Sequence, residues 1–345
     1  MQERPPVVFP VADGITAIDT FMGGRARYTA AYLLDAAEPT LVETGPGTSV
    51  EPVAAALGEL GVTSNELAHI VLTHIHLDHA GGVGQLAARF PSATVWVHQR
   101  GAPHLVDPSR LVASTARVWG EQEMRELFGP TQPVDQGRVR PLHDADVIRM
   151  GDRELGVLET PGHASHHVAL VDSRTGAVFT GDALGIHVPD LPVLRPATPP
   201  PEFDLERYVD SIERIRTAAR SVLLFAHFGP LPDVAATCDL AIRRVRDWAS
   251  VVEKALRETA DPEELTARLE AAALADIDTG AEATFDLAML EDRLRLLSSI
   301  KMNAQGLARY WQKRRTREEA AQEFRRIMRH DAGAFDVAER LGAIS

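Results

Sequence analysis

In the stretch Thr73-His74-Ile75-His76-Leu77-Asp78-His79-Ala80-Gly81-Gly82, four side chains able to ligate a metal stand within six residues. Imidazole and carboxylate are donor types that suit Zn²⁺, and the same groups accept Fe or Mn. With spacings of one and two residues, the four could not all converge on one spot from a regular helix or strand. They therefore read as converging from a loop. The apolar, β-branched run LAHIVLTH just before them reads as the buried strand that ends in that loop. Ala80, Gly81 and Gly82 let the backbone pass close beneath the cluster.

Three further candidates follow strand-like runs. His163 comes after GVLET, Asp182 after GAVFT, and His227 after SVLLF. Taken singly, each is an ordinary turn residue. With the first cluster they make five histidines and two aspartates at the ends of core strands, the complement a two-metal site needs. Two cations about 3.5–4 Å apart share a water and lower its pKa enough to give hydroxide near neutral pH. No Ser/His/Asp arrangement stands out as a rival nucleophile.

The elements that must hold these residues alternate along the first two thirds of the chain. TAAYLLDA, PTLVETG, ATVWVH, RELGVLET, HHVALVD, GAVFTGD and SVLLFAH read as strands, while VEPVAAALGELG and GGVGQLAARF read as helices. Interleaved strands and helices predict an α/β core. VPDLPVLRPATPPPEF, rich in proline, reads as an extended loop over the core. From Asp233 to Ile344 the periodicity is helical, with DLAMLEDRLRLLSSIKMNAQGLARYW the longest segment. Asp261-Pro262 marks a helix start, with Pro at the first position and Glu263 and Glu264 in the first turn. The expected organisation is a catalytic domain over residues 1–232 and a helical domain or cap over 233–345.

Composition narrows the function class. The 345 residues are 45% hydrophobic and 25% charged, the balance of a soluble globular enzyme. No apolar run approaches the roughly 20 residues that cross a bilayer, and MQERPPVVFP lacks a signal-peptide pattern. A cytoplasmic location with no membrane partner is expected. The single cysteine, Cys238, excludes a disulfide within the chain and a thiolate-rich zinc site. It reads as a packed helical thiol. The formal charge of −13 repels phosphate backbones. Lys313, Arg314, Arg315 and Arg317 are followed by Glu318, Glu319 and Glu323, which reads as an ion-paired helix face. No nucleic-acid partner is expected.

The order HxHxDH, then PGH, then GD, then a last His resembles the metallo-β-lactamase superfamily over roughly residues 15 to 230. The resemblance implies an αββα sandwich with the site at one edge between the sheets. It implies two Zn²⁺, the first on His74, His76 and His163, the second on Asp78, His79 and His227, with Asp182 bridging. It also implies a hydrolase in which a metal-bridging hydroxide attacks a small ester, lactone or thioester. Asp78 then serves as ligand, orients the nucleophile and passes a proton to the leaving group. His76 stands where flavodiiron-type oxidoreductases of the superfamily carry Glu. Asp182 is a residue that its antibiotic-degrading members generally lack. The acidic charge argues against its RNA-processing members. The lactonase and glyoxalase-II-like group remains, with small phosphodiesterases beside it. The rival reading is a one-iron oxidoreductase of the persulfide dioxygenase type, held by His74, His163 and Asp182.

Other polar residues add detail. His187 follows Asp182 by five residues, where lactonases often carry Tyr, and is a candidate for substrate contact or leaving-group protonation. His167 and His166 are candidates to steady the ligand loop, and His98 and His104 to border the pocket. Glu43 stands where many relatives have Asp and reads as a supporting carboxylate. The helical region matches no pattern of the glutathione-binding helices of glyoxalase II. It reads as a cap over a small-molecule site with a dimerisation role, hence a homodimer.

Overall fold

A computed structural model of the chain describes residues 7–188, 193–275 and 294–342. Seven strands form the first sheet in sequence order: β1 (Val8–Ala12), β2 (Ile15–Asp19), β3 (Ala30–Leu34), β4 (Thr40–Val42), β5 (His69–Val71), β6 (Thr94–His98) and β7 (Val139–Leu142). β1 to β4 are antiparallel, and β4 to β7 are parallel. Parallel neighbours need a crossover. Here α1 (Val50–Glu59) lies between β4 and β5, and α2 (Leu77–Ala80) and α3 (Val83–Arg89) lie between β5 and β6. Three helices precede β7, namely α4 (Ala102–Val106), α5 (Ser109–Trp119) and α6 (Glu121–Leu127).

The second sheet adds β8 (Val147–Arg149), β9 (Glu154–Glu159), β10 (Val168–Asp172) and β11 (Val178–Gly181). A small hairpin, β12 (Ile186–Val188) with β13 (Val193–Arg195), follows, and then α7 (Leu205–Ala218). β14 (Leu223–Phe225) and β15 (Pro230–Leu231) complete the second sheet, in the order β15-β14-β11-β10-β9-β8. α8 (Val234–Ala255), α9 (Pro262–Ala275) and α10 (Ile300–Gly342) close the described chain.

Period-two side-chain alternation sends each strand to two cores. Tyr32, Leu34 and Val71 meet Val157, Leu170 and Phe179 between the sheets. Ala31, Leu41, Ile70 and Val95 pack outward on Val53 and Leu57 of α1 and Leu86 of α3. Val178 and Leu223 pack outward on Ile212 of α7 and on Val245 and Trp248 of α8. Leu269 of α9 and Leu307 of α10 join that same cluster. Each fully buried aliphatic or aromatic side chain contributes about 1.5–3 kcal/mol. The result is the expected αββα sandwich with helices beyond residue 233 on the second sheet.

Two expectations are corrected. The proline-rich stretch is not wholly loop, because its first residue closes β12 and Val193–Arg195 form β13. Buried Val193 and Leu194 make that pairing favourable. The long segment after residue 286 is not one helix. Residues 286–293 lie outside the described residues, and the helix breaks at Ser298-Ser299 before α10 begins. The Ser299 hydroxyl accepts from the Met302 amide at 3.3 Å and caps the new start. Asp261 does cap α9, accepting from the Glu263 amide at 2.9 Å. Cys238 is buried, and burial pushes its thiol up to about 11. Among the described residues no helix is long and apolar enough to cross a membrane.

At the strand ends remote from Thr73, a buried Arg153–Asp172 pair ties the two sheets. Arg153 donates twice to the carboxylate, at 2.6 and 2.9 Å, and also to the Gly14 carbonyl at 2.8 Å. Burial pushes Asp172 up, but Arg153 and Thr175 outweigh it and hold the carboxyl below its ordinary value. Its stabilising contribution is thus full above the unfolded carboxyl pKa near ~3.9 and is lost as pH falls through the lower folded value. Arg153→Met should destabilise the fold by roughly 3–5 kcal/mol in denaturant melts, because it leaves the carboxylate buried and unpaired. In Asp172→Asn the stability lost between neutral pH and about pH 3 should shrink relative to the parent.

Candidate metal centre

The site forms where the sheets meet. The Thr73 carbonyl, just beyond β5, accepts from the Val168 amide of β10 at 2.8 Å. The Thr73 amide donates to Glu43 Oε1 at 3.1 Å. His74 and His76 then lie on irregular chain, as expected. Leu77–Ala80, however, form one helical turn, closed by the Ala80 amide on the His76 carbonyl at 2.9 Å. The spacing of the four residues predicts a loop for the whole cluster. Adjacent helical residues point about 100° apart, so Asp78 and His79 share this turn and still reach the same centre from two sides. Gly81 is needed here, since a Cβ on it would stand 3.0 Å from the Pro46 Cα.

In His74, His163, His227 and His79 the outer nitrogen has a partner, which aims the other inward. His74 Nδ1 pairs with Thr73 Oγ1 at 3.0 Å. His163 Nδ1 donates to the Ala197 carbonyl at 3.0 Å, and His227 Nδ1 donates to the Tyr28 carbonyl at 3.2 Å. His79 Nδ1 faces Glu43 Oε2 at 3.4 Å. Such partners fix tautomer and ring direction in metal ligands. The Asp182 amide donates to His167 Nε2 at 3.0 Å, so His167 Nδ1 carries the proton it gives Thr160 Oγ1 at 2.7 Å. Gly181 permits this approach: it has φ 48°, and a Cβ would meet His167 Nε2 at 2.5 Å.

All seven predicted ligands come together. Their ligand atoms form three overlapping groups, each within 4.8 Å: His74, His76 and His163; His74, His79 and Asp182; Asp78, His79 and His227. His76 Nδ1 lies 3.1 Å from His74 Nε2 and 3.0 Å from His163 Nε2. Nitrogens bound to one tetrahedral zinc at about 2.0–2.1 Å stand roughly 3.3 Å apart. Asp182 faces both ways. Its Oδ2 lies 3.5 Å from His163 Nε2, and its Oδ1 lies 3.5 Å from both His79 Nε2 and His227 Nε2. Asp78 Oδ2 is 3.4 Å from the same two nitrogens. His79 Nε2, His227 Nε2 and Asp182 Oδ1 are buried without hydrogen-bond partners. Each such atom costs about 1–3 kcal/mol, and cations seated among them would remove that cost. The donor set therefore fits bound metal.

Charge reinforces the geometry. Burial and then the neighbouring imidazoles hold His74 well below its ordinary value. Burial and His163 push His76 down to about 4, and burial lowers His163. Burial pushes Asp78 and Asp182 up, but His79 and His227 outweigh it and leave both carboxyls below the usual range. Neutral imidazoles and ionised carboxylates are the forms that bind metals. His79 is raised, because Asp78 and Asp182 outweigh its burial. A cation between those carboxylates would take over from that proton.

A cavity of about 320 Å³ opens onto His76, Asp78, His163, Asp182 and His227. His104 and His166 line it, and His166 Nδ1 is buried without a partner. His98 instead pairs with Glu159 at 3.0 Å. His187 lies outside the cavity lining. Its Nδ1 donates to the Phe228 carbonyl at 2.8 Å, beside the turn that carries His227. Sequence reasoning missed Asn303 of α10. Asn303 Oδ1 accepts from the Thr198 amide at 2.7 Å and from Thr198 Oγ1 at 2.8 Å, next to the Ala197 carbonyl that orients His163. An asparagine in the apolar stripe with Ile300 and Leu307 was the available signal.

A sequence profile described as the metallo-beta-lactamase superfamily matches residues 24–227. The chain belongs to the metallo-beta-lactamase superfamily. This superfamily member is 30% identical over 170 residues to a metallo-beta-lactamase fold-containing protein of Sulfurisphaera tokodaii, covering 48% of this chain and 62% of that one. It is 33% identical over 153 residues to a hydroxyacylglutathione hydrolase of Synechococcus sp., covering 44% and 48%. The chain thus spans about half to three fifths of the length of these curated relatives. A crystal structure of a metallo-beta-lactamase family protein from Thermus thermophilus shares the fold, with TM-score 0.59, 20% identity and coverage of 90% of this chain and 92% of that one.

Asn303→Ala leaves the buried Thr198 amide unpaired. It should lower stability by about 1–3 kcal/mol, read as a shifted denaturant midpoint at unchanged m-value.

Proposed function

We propose that this chain is a two-metal hydrolase of small esters, lactones or thioesters. The observation that carries the reading is the Asp182 carboxylate, whose two oxygens face two separate groups of histidine nitrogens. His74, His76 and His163 would hold one ion, and Asp78, His79 and His227 the other, with Asp182 between them. Zinc matches the donor types, and Fe or Mn could occupy the same ligands. When bound, such a pair lowers the pKa of a water and polarises a carbonyl oxygen.

The chain's own residues do the rest. Of the two aspartates at the cavity, Asp78 is the more exposed, with 24% of its side chain accessible against 5% for Asp182. It orients the attacking water, takes its proton and delivers it to the departing oxygen or sulfur. The acyl carbon gains a C–O bond to water and loses its bond to the leaving group, giving a carboxylic acid and an alcohol or thiol. Glu43 and His167 hold His79 and the Asp182 backbone. His187 acts through the Phe228 carbonyl as a positioning residue for the His227 turn.

Elemental analysis of gently purified protein should find two equivalents of metal per chain, and fewer than one would overturn the reading. Stripping the metal should abolish hydrolysis of a lactone and thioester panel, with recovery on adding Zn²⁺. Asp78→Ala should lower kcat by roughly 10²–10⁴-fold. Glu43→Gln should weaken metal binding by about 10–100-fold in chelator competition.

A further inference from the structure

α5 is an amphipathic helix that buries none of its residues. Leu111, Thr115 and Val118 recur at helical spacing on one face, with Trp119 beside them, and all line the cavity at the metal centre. Val118 is 52% exposed, one of few large apolar side chains so open among the described residues. Leu296, Leu297 and Met302, from the short helical turn before Ser298 and the start of α10, line the same cavity. An apolar stripe normally faces a core. Here Leu111 and Trp119 pack on the cluster of Leu127, Phe128 and Leu297, and the same face also borders a space of about 320 Å³ that reaches the metal ligands, a volume at the low end for small-molecule sites. Among the described residues Arg110 is the one Lys or Arg side chain lining this space, and it lies exposed at the rim.

We infer that the substrate's acyl part is an apolar chain, seated against the surface that α5 and Leu296, Leu297 and Met302 give this cavity. This rests on the hydrolase reading above. A polar or charged leaving group finds little cationic surface inside the cavity, so it faces the rim and solvent. The acyl chain is the part whose polarity matches the wall. The helical region beyond residue 233 thereby serves selectivity, because it supplies one side of the chain-binding surface.

The test uses the metal-loaded full chain. Straight-chain carboxylates from acetate to octanoate serve as product analogues for equilibrium binding. Acyl thioesters of one small thiol, over the same chain lengths, serve for hydrolysis. Both affinity and kcat/KM should rise about fourfold per added methylene, then level off once the cavity is full. Leu297→Asn and Val118→Glu should each flatten that gradient. Val118 is exposed, so its variant answers even if Leu297→Asn fails to fold. Hydrolysis without chain-length dependence would overturn the acyl-chain site and leave the hydrolase reading standing. A gradient that follows the thiol's chain in acetyl thioesters would overturn the acyl assignment. Chain-dependent binding with no hydrolysis of any thioester, ester or lactone would overturn the hydrolase reading, and the acyl assignment with it.

Discussion

Seven side chains at one edge of the sandwich direct lone pairs into a space largely closed to water, and the rest of the structure serves that convergence. Unpaired polar atoms in such a place are costly. They persist because four of the five rings are held from behind. Thr73, Ala197, Tyr28 and Glu43 take the outer nitrogens of His74, His163, His227 and His79. Most of these partners are backbone carbonyls or groups at strand ends, so the aim of the ligands is as rigid as the sheets. The Thr73–Val168 hydrogen bond joins the two sheets where that rigidity is needed.

The opposite end of the sandwich uses a different device. There Arg153 and Asp172 are buried as a complete pair, with backbone carbonyls taking the remaining guanidinium donors. Both ends bury charge. One end satisfies it internally. The other leaves Asp182 Oδ1 and two imidazole nitrogens unpaired, which is the asymmetry expected between a structural clamp and a ligand-binding site.

The helices beyond residue 233 are coupled to the centre by touch. Asn303 holds Thr198, the adjacent Ala197 carbonyl holds His163, and Leu296, Leu297 and Met302 wall the cavity. Gly306 lets α10 come this close, since a Cβ there would overlap the Thr198 carbonyl. The same helices share their hydrophobic cluster with α7 and the second sheet.

Much of this was legible in the residues. The His74–His79 cluster announces its donor chemistry because its members are neighbours in the chain. His163, Asp182 and His227 were legible by their place after strand-like runs, and the main strands by their apolar patterning. The helical turn over Leu77–Ala80 was hidden, because four residues carry too little periodicity to show. Asn303, Tyr28 and the α5 face were hidden for another reason. Tyr28 meets His227 across 199 residues, and Asn303 meets Thr198 across 105. The sequence by itself determined which donors exist, their order and the strands that carry them, because those follow from residue type and local spacing. Only the tertiary structure decided which nitrogen of each ring points inward, that Asp182 faces both groups, and that an apolar cavity adjoins them. Those features depend on segments far apart in sequence meeting at one edge of two sheets.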